Sequence, residues 1–358
     1  MKGEVVYLYA FDVANEIATE GLREVLSARS FRLTLRVDHT YPRDVPLFQA
    51  LTVEPARTAR LGGADVRLVV RIFEVGVVSV SMRVPCEVES LAGLSPFHRP
   101  TLDDGLSLDQ LARQLCDEVC ASIRDSLVMS SLPSEPEAYT VFCLTDLNGV
   151  KDVEQWFGER RREVAGLLAE TPADDLSTAQ VEESLRIQRS FTRHDLAVID
   201  WDASLVVDLD GYVDDVLYVL ELANLQLEEF RVMDRRLDRH LERAYRDLES
   251  YKFAWWRTPS AMLDWLRRFR VDVAKLADEV SHITKFFGDW HLARVYLGAR
   301  ERFHLGEWQQ SVEHRLSQLD GVYSYIQSDV YERRMLWLEI AVVICFIVDL
   351  LGLFVWKR

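Results

Sequence analysis

Hydrophobic positions in the first two hundred residues fall into short runs, several of them rich in β-branched and aromatic side chains. VVYLYAF (5 to 11), RLTLRV (32 to 37), RLVVRIF (67 to 73) and GVVSVSMRV (76 to 84) read as strands, with Glu74-Val75-Gly76 placed to turn the last two into a hairpin. Leu108, Leu111, Leu115, Val119, Ile123 and Leu127 mark one face of a helix. A further strand, AYTVFCL (138 to 144), precedes an amphipathic helix from Asp152 to about Leu168. LAVIDW (196 to 201) and SLVVDL (204 to 209) close the region, separated by Asp202-Ala203. Aligning VYLYAFDVAN on TVFCLTDLNG sets Asp12 over Asp146, each just past a strand, which raises an internal duplication.

After Asp210 the period changes to that of long helices. Leu220, Leu227, Phe230, Leu237, Leu241 and Leu248 line a first helix of about 212 to 250, interrupted by Asp234. In a second, Leu266, Phe269, Val273, Leu276, Val280, Ile283, Phe287 and Trp290 keep a 3-4-3-4 spacing, the mark of a coiled-coil seam. Thr258 and Pro259 supply its cap and first turn, and Leu305-Gly306 marks the break before a third helix. Val312, Leu316, Leu319, Tyr323, Ile326 and Val330 repeat the spacing there, and the count reaches Trp337, Ile340, Ile344, Ile347 and Leu351. Two short connections make these three helices antiparallel.

The chain ends in an apolar stretch of 21 residues, Leu336 to Trp356, roughly 31 Å of helix against a hydrocarbon core of about 30 Å. Trp337 and Trp356 collar it, with Arg333 and Arg334 before it and Lys357 and Arg358 after. The expected architecture is therefore α+β: a mixed-sheet head over 1–210, a three-helix coiled-coil stalk over 211–335, and one transmembrane helix over 336–356. Glu339 and Asp349 interrupt that helix, and an acid near a bilayer centre costs on the order of 2.5 to 3.5 kcal/mol. The heptad count puts both off the stalk seam, so the expectation is that neighbouring subunits meet them. Trp337, Glu339, Asp349 and Trp356 are the candidate membrane and oligomer interface.

Charge and cysteine usage narrow the function classes. A net charge of −16 and a pI near 5.0 repel phosphate, so nucleic-acid binding is not expected. Five scattered cysteines form no disulfide framework and suit a reducing compartment. Met1 to Glu4 run straight into a strand, which leaves no room for a signal peptide. The location expected from these features is an inner membrane, crossed once, with the N-terminal domain in the cytoplasm.

No phosphate-cradling GxxxxGK[ST], GxGxxG, GxSxG or HExxH occurs, so no catalytic or cofactor-binding residue is assigned and no cofactor is expected. Glu279-x-x-His282 and Glu301-x-x-His304 have the spacing of di-metal ligands, but the seam count turns Glu279 and His282 away from a bundle core. Cys116 and Cys120, four apart with Asp117 between, have a spacing that could place two thiolates on one metal, but they also lie beside Leu115, Val119 and Ile123 on the apolar face, and the favoured reading is cysteine packing as a small hydrophobe. Asp234, Asp238 and Glu242, beside Arg235, Arg239 and Arg243, solubilise a helix or set its register against a partner.

RIFEVGVVSV (71 to 80), HDLAVIDWD (194 to 202), LYVLELANLQLEEFRVMDRRLD (217 to 238), ITKFFGDWHLARVYLGARERFHLGEW (283 to 308) and ERRMLWLEIAVVICFIVDLL (332 to 351) together resemble the required-for-meiotic-nuclear-division family. That resemblance implies a membrane-anchored oligomer without established catalysis, and Glu339 and Asp349 match the family's two tail acids. Its eukaryotic members are mitochondrial; no transit peptide is seen here, which points to a bacterial-type member. The expected function is a homo-oligomeric, tail-anchored scaffold that brings an unidentified soluble partner to a lipid membrane. The alternative is an ion-conducting assembly laid out like the CorA-type magnesium channels, whose second membrane helix and Gly-Met-Asn loop are missing.

Overall fold

The computed structural model describes residues 1–18, 22, 26, 31–33, 50–128, 135–250, 265–274, 277 and 290–356; the side chains at 31–33, 247–250, 326, 330 and 349–356 lie outside that description. The chain divides into two compact units, Met1–Val232 with Asp278–Trp308, and Met233–Ala277 with Gln309–Arg358.

In the first unit the strands are β1 (Lys2–Asp12), β2 (Glu16–Ile17), β3 (Phe31–Leu33), β4 (Ala50–Pro55), β5 (Ala59–Leu61), β6 (Ala64–Phe73), β7 (Val77–Glu87), β8 (Leu127–Val128), β9 (Glu137–Asp146), β10 (Ile187–Arg189), β11 (Asp195–Ile199) and β12 (Ala203–Asp208). The main sheet runs β10-β11-β12-β9-β1-β7-β6-β4-β3, with β5 on β6. Only β12 and β9 pair in parallel among the described strands, so the sheet is mixed. β1 lies at its middle and is apolar on consecutive positions because both faces are covered. Val5, Tyr7, Tyr9 and Phe11 enter the main core, while Val6, Leu8 and Ala10 are buried on the opposite face.

The main-core face is closed by α1 (Leu108–Ser122) and α2 (Val153–Leu168). A reciprocal Ser107–Gln110 capping box starts α1, and Asp152 caps α2 by accepting from Gln155 N at 2.9 Å. After the short α3 (Thr178–Ser184), α4 (Val213–Ser250) begins where the Asp208 carboxylate accepts from the backbone N–H groups of Asp210, Gly211 and Tyr212. The part of α4 in this unit covers the second sheet face and is buried almost all round. α5 (Trp290–Arg302) packs on β10 and β11 at Gly298, where an added Cβ would stand 2.8 Å from Ile187 Cγ2.

The β6–β7 hairpin turns at Gly76, as the sequence predicts, with a positive φ of 93°. The duplication is not repeated in the pairing: β1 meets β7 antiparallel, whereas β9 meets β12 in parallel. Of the predicted strand 32 to 37, residues after Leu33 lie outside the described ones. Leu127, counted onto a helix face, opens β8 instead, because α1 ends at Ser122.

The second unit holds the C-terminal part of α4, the helical stretch 265–274, and most of α6 (Leu305–Trp356). His304, with φ of 52°, makes the break between α5 and α6. Asp234 and Asp238 of α4 meet Ser311 and Arg315 of α6 at the same 77-residue offset. A constant offset means that the two helices run parallel, as an up-down-up order requires.

One expectation is corrected. Among the described residues no helix is long and apolar enough to cross a membrane. In α6 the described apolar side chains extend from Leu336 to Val348. Glu339 falls among them, and the side chains of Asp349 and Trp356 lie outside the described residues. The class is α+β with an N-terminal mixed sheet. The transmembrane helix, and the tail-anchored, single-pass inner-membrane location that rested on it, are not supported.

Candidate assembly site

α6 changes character along its length. Val312, Leu316, Leu319 and Tyr323 are buried, keeping the 3-4-3-4 spacing read from the sequence. Register there is fixed by charge: Arg315 Nε stands 3.1 Å from Asp234 Oδ1, its terminal nitrogen pairs with Asp238, and Arg270 of the 265–274 stretch pairs with Asp320. Asp234, which interrupts the apolar seam of α4, is thus an internal ion-pair partner. Leu266, Phe269 and Val273 of the predicted seam are buried, and Trp265 stacks on Phe269 and on His240. Leu276, Val280, Ile283 and Phe287 lie outside the described residues, and Trp290 is exposed at the start of α5.

Beyond Tyr323 no described side chain of α6 is buried. Consecutive residues on a helix point about 100° apart. Val342, Val343 and Ile344, exposed by 60%, 57% and 54%, therefore show that the helix is open around its whole circumference. Leu336, Leu338, Phe346, Ile347 and Val348 extend the apolar surface, Trp337 is half exposed, and Glu339 is the only charged residue from Leu336 to Val348. Contiguous apolar exposure on this scale marks a surface that meets something else.

Several buried polar groups of the first unit have structural partners. Arg302 and Asp200, each side chain 8% exposed, form a buried pair; Arg302 also donates to Glu183 at 2.5 Å. Burial opposes the Arg302 charge, but the hydrogen bonds and charges of Asp200 and Glu183 prevail and hold it above its ordinary value. The Arg302 bond holds the Glu183 carboxyl below the usual range. Asp200 also accepts from Trp201 N at 2.8 Å, and its carbonyl accepts from Tyr139 OH at 3.0 Å. On α4, Glu221 accepts from Ser79 Oγ at 2.6 Å and pairs with Arg71, Asn224 donates to Glu137 O, and Gln226 accepts from Tyr296 OH at 2.5 Å. These buried polar residues escape a count of leucines. Their signal is the run ELANLQLEEF, acids and amides inside an apolar helix, which means polar partners on a covered face.

His304, of the Glu301-x-x-His304 motif, turns to Glu307 at 2.9 Å, while Glu279 and His282 lie outside the described residues. Among the described residues no group of three or more His, Cys, Asp or Glu is placed to hold a metal ion.

No solved structure matches the chain. It is similar to the uncharacterized protein MJ0711 of Methanocaldococcus jannaschii, with 21% identity over 248 residues, which cover 69% of this chain and 74% of that protein. The family model described as "Uncharacterized protein MJ0711, N-terminal domain" matches residues 2–214, from the first strand to the start of α4. That match takes in more than half of the chain, which therefore belongs to the MJ0711 N-terminal domain family.

Proposed function

We propose that this protein is a non-enzymatic, homo-oligomeric scaffold: copies associate through the exposed end of α6, and the α+β unit presents a surface to a soluble partner. The observation that carries this reading is the uncovered apolar helix after Tyr323. An isolated helix is marginal in water, and most helical stability comes from packing an apolar face. Covering the segment on all sides takes more than one neighbour, and other copies of the same helix supply identical apolar positions. The seam spacing continues into it through Trp337, Ile340, Ile344 and Ile347, so the register that packs α6 upstream extends to copies downstream.

Pairing with a different chain through flanking charges has little to work with, because Glu339 stands alone in the described apolar stretch. The resemblance to the required-for-meiotic-nuclear-division family supports the same reading. Its stretches at 217 to 238, 283 to 308 and 332 to 351 lie beyond the matched residues 2–214.

The test is sedimentation equilibrium of the full chain beside Ile344→Lys/Ile347→Lys. The parent is expected as an assembly of several copies and the variant as a folded monomer. A monomeric parent, or assembly unchanged by the two lysines, would overturn the proposal.

A further inference from the structure

α1 carries two thiols on the side that meets the core. Cys116 is fully buried, Cys120 lies at the core margin, neither is in a disulfide, and their Sγ atoms stand 3.9 Å apart. The helix that holds them is pinned by its capping box and by buried Ala112, Leu115 and Val119, so the pair is a fixed feature of the fold.

Distances decide what such a pair suits. A disulfide brings sulfurs to about 2.05 Å and Cβ atoms to about 3.5–4.5 Å. Residues four apart on an α-helix keep Cβ atoms about 5–6 Å apart, so oxidation would have to unwind the last turn of α1. Two thiolates on one ion at about 2.3 Å place their sulfurs about 3.8 Å apart at a tetrahedral angle and about 4.6 Å apart in a line. The observed separation lies near the tetrahedral end of that span, and a linear bridge needs about 0.7 Å more, which rotation of the two side chains supplies with Cβ atoms about 5–6 Å apart. No third ligand is placed nearby among the described residues, which leaves a four-coordinate ion short of protein ligands. Thiolates are soft ligands, favoured by copper(I) among biological cations.

We propose that Cys116 and Cys120 form a two-thiolate site for a soft monovalent cation of the copper(I) class. Each thiol releases its proton to solvent and each sulfur bonds the ion, so a neutral dithiol and one cation become a bridge of net charge −1; nothing is oxidised or reduced. Cys120 binds first. It is the accessible member, whereas Cys116 is buried. Around Cys116 the charge of Arg113 favours the bridge and that of Asp117 opposes it.

The experiment is an anaerobic titration of reduced, full-length protein against copper(I) held by a coloured bidentate chelator, in a Cys345→Ser background that removes the exposed thiol. One equivalent is expected to leave the chelator with release of two protons, and Cys120→Ser is expected to abolish the transfer while its melting curve stays that of the parent. Because Cys116→Ser disturbs a buried position, the marginal variant carries the test. No transfer to the parent, equal transfer to Cys120→Ser (adventitious binding only), or uptake of zinc in preference would each overturn the assignment.

Discussion

Replacing Arg302 with methionine keeps the aliphatic stem and removes the charge from the buried pair with Asp200. Both side chains are 8% exposed, so solvent screens the pair little. Glu183, half exposed, contributes a weaker second contact. Breaking a buried pair from one side costs about 3–5 kcal/mol, most of it the penalty of leaving a carboxylate buried without its cation. For a unit of this size each kcal/mol moves the melting midpoint by about 2–4 °C, so Arg302→Met is expected to melt roughly 6–20 °C lower. The assay is thermal and urea unfolding by circular dichroism, with hydrogen exchange of β11 and β12, which Asp200 joins by donating its backbone N–H to Ala203 O at 3.0 Å. Adding Asp200→Asn removes the stranded charge and keeps an acceptor for Trp201 N, so the double variant is expected to recover part of the loss. A loss under about 1 kcal/mol in the single variant, or simple additivity in the double, would refute the reasoning.

Three further outcomes follow from the same geometry. Gly76→Ala puts a Cβ 2.0 Å from Ala14 O at a φ of 93°, and is expected to cost more than about 1 kcal/mol in denaturant unfolding, whereas Gly105→Ala, strained by its own φ of 83° but with open space around it, is expected to cost less than Gly76→Ala. Arg315→Met removes a partly exposed fork shared by Asp234 and Asp238, and is expected to weaken the second unit by about 1–2 kcal/mol, read as faster hydrogen exchange in α6 around Val312 to Tyr323. Burial, opposed by Glu170, holds the His98 imidazole below its ordinary value. The folded state then binds fewer protons than the unfolded one, so this contribution is fully present above an unfolded value of about 6.5 and is lost as pH falls below it. Denaturant midpoints across that range are expected to flatten in His98→Gln, and an unchanged slope would count against the assignment.

Much of the fold is legible in the sequence because local signals and burial agree. VVYLYAF, RLVVRIF and GVVSVSMRV become β1, β6 and β7, and the 3-4-3-4 spacing finds Val312 to Tyr323. What escapes has a physical cause. The N-terminal part of α4 is buried all round, so a one-sided seam explains only Leu220, Leu227 and Phe230 and passes over Glu221, Asn224 and Gln226, whose partners Arg71, Ser79, Glu137 and Tyr296 come from distant parts of the chain. Asp234 and Asp238 carry alternating-charge signals in sequence, but their role depends on Arg315, 77 residues from Asp238. By composition the apolar tail reads as a span, and composition does not distinguish a helix that meets lipid from one that meets other helices. Among the described residues no helix is long and apolar enough to cross a membrane.

The central claim is that the open end of α6 is where copies meet. Sedimentation equilibrium of the full chain, run beside Ile344→Lys/Ile347→Lys and with lipid vesicles as a separate arm, tests it most directly. The account expects an assembly of several copies without vesicles and a folded monomer for the variant. A parent that is monomeric in buffer, or that leaves solution with the vesicles as a monomer, would contradict it.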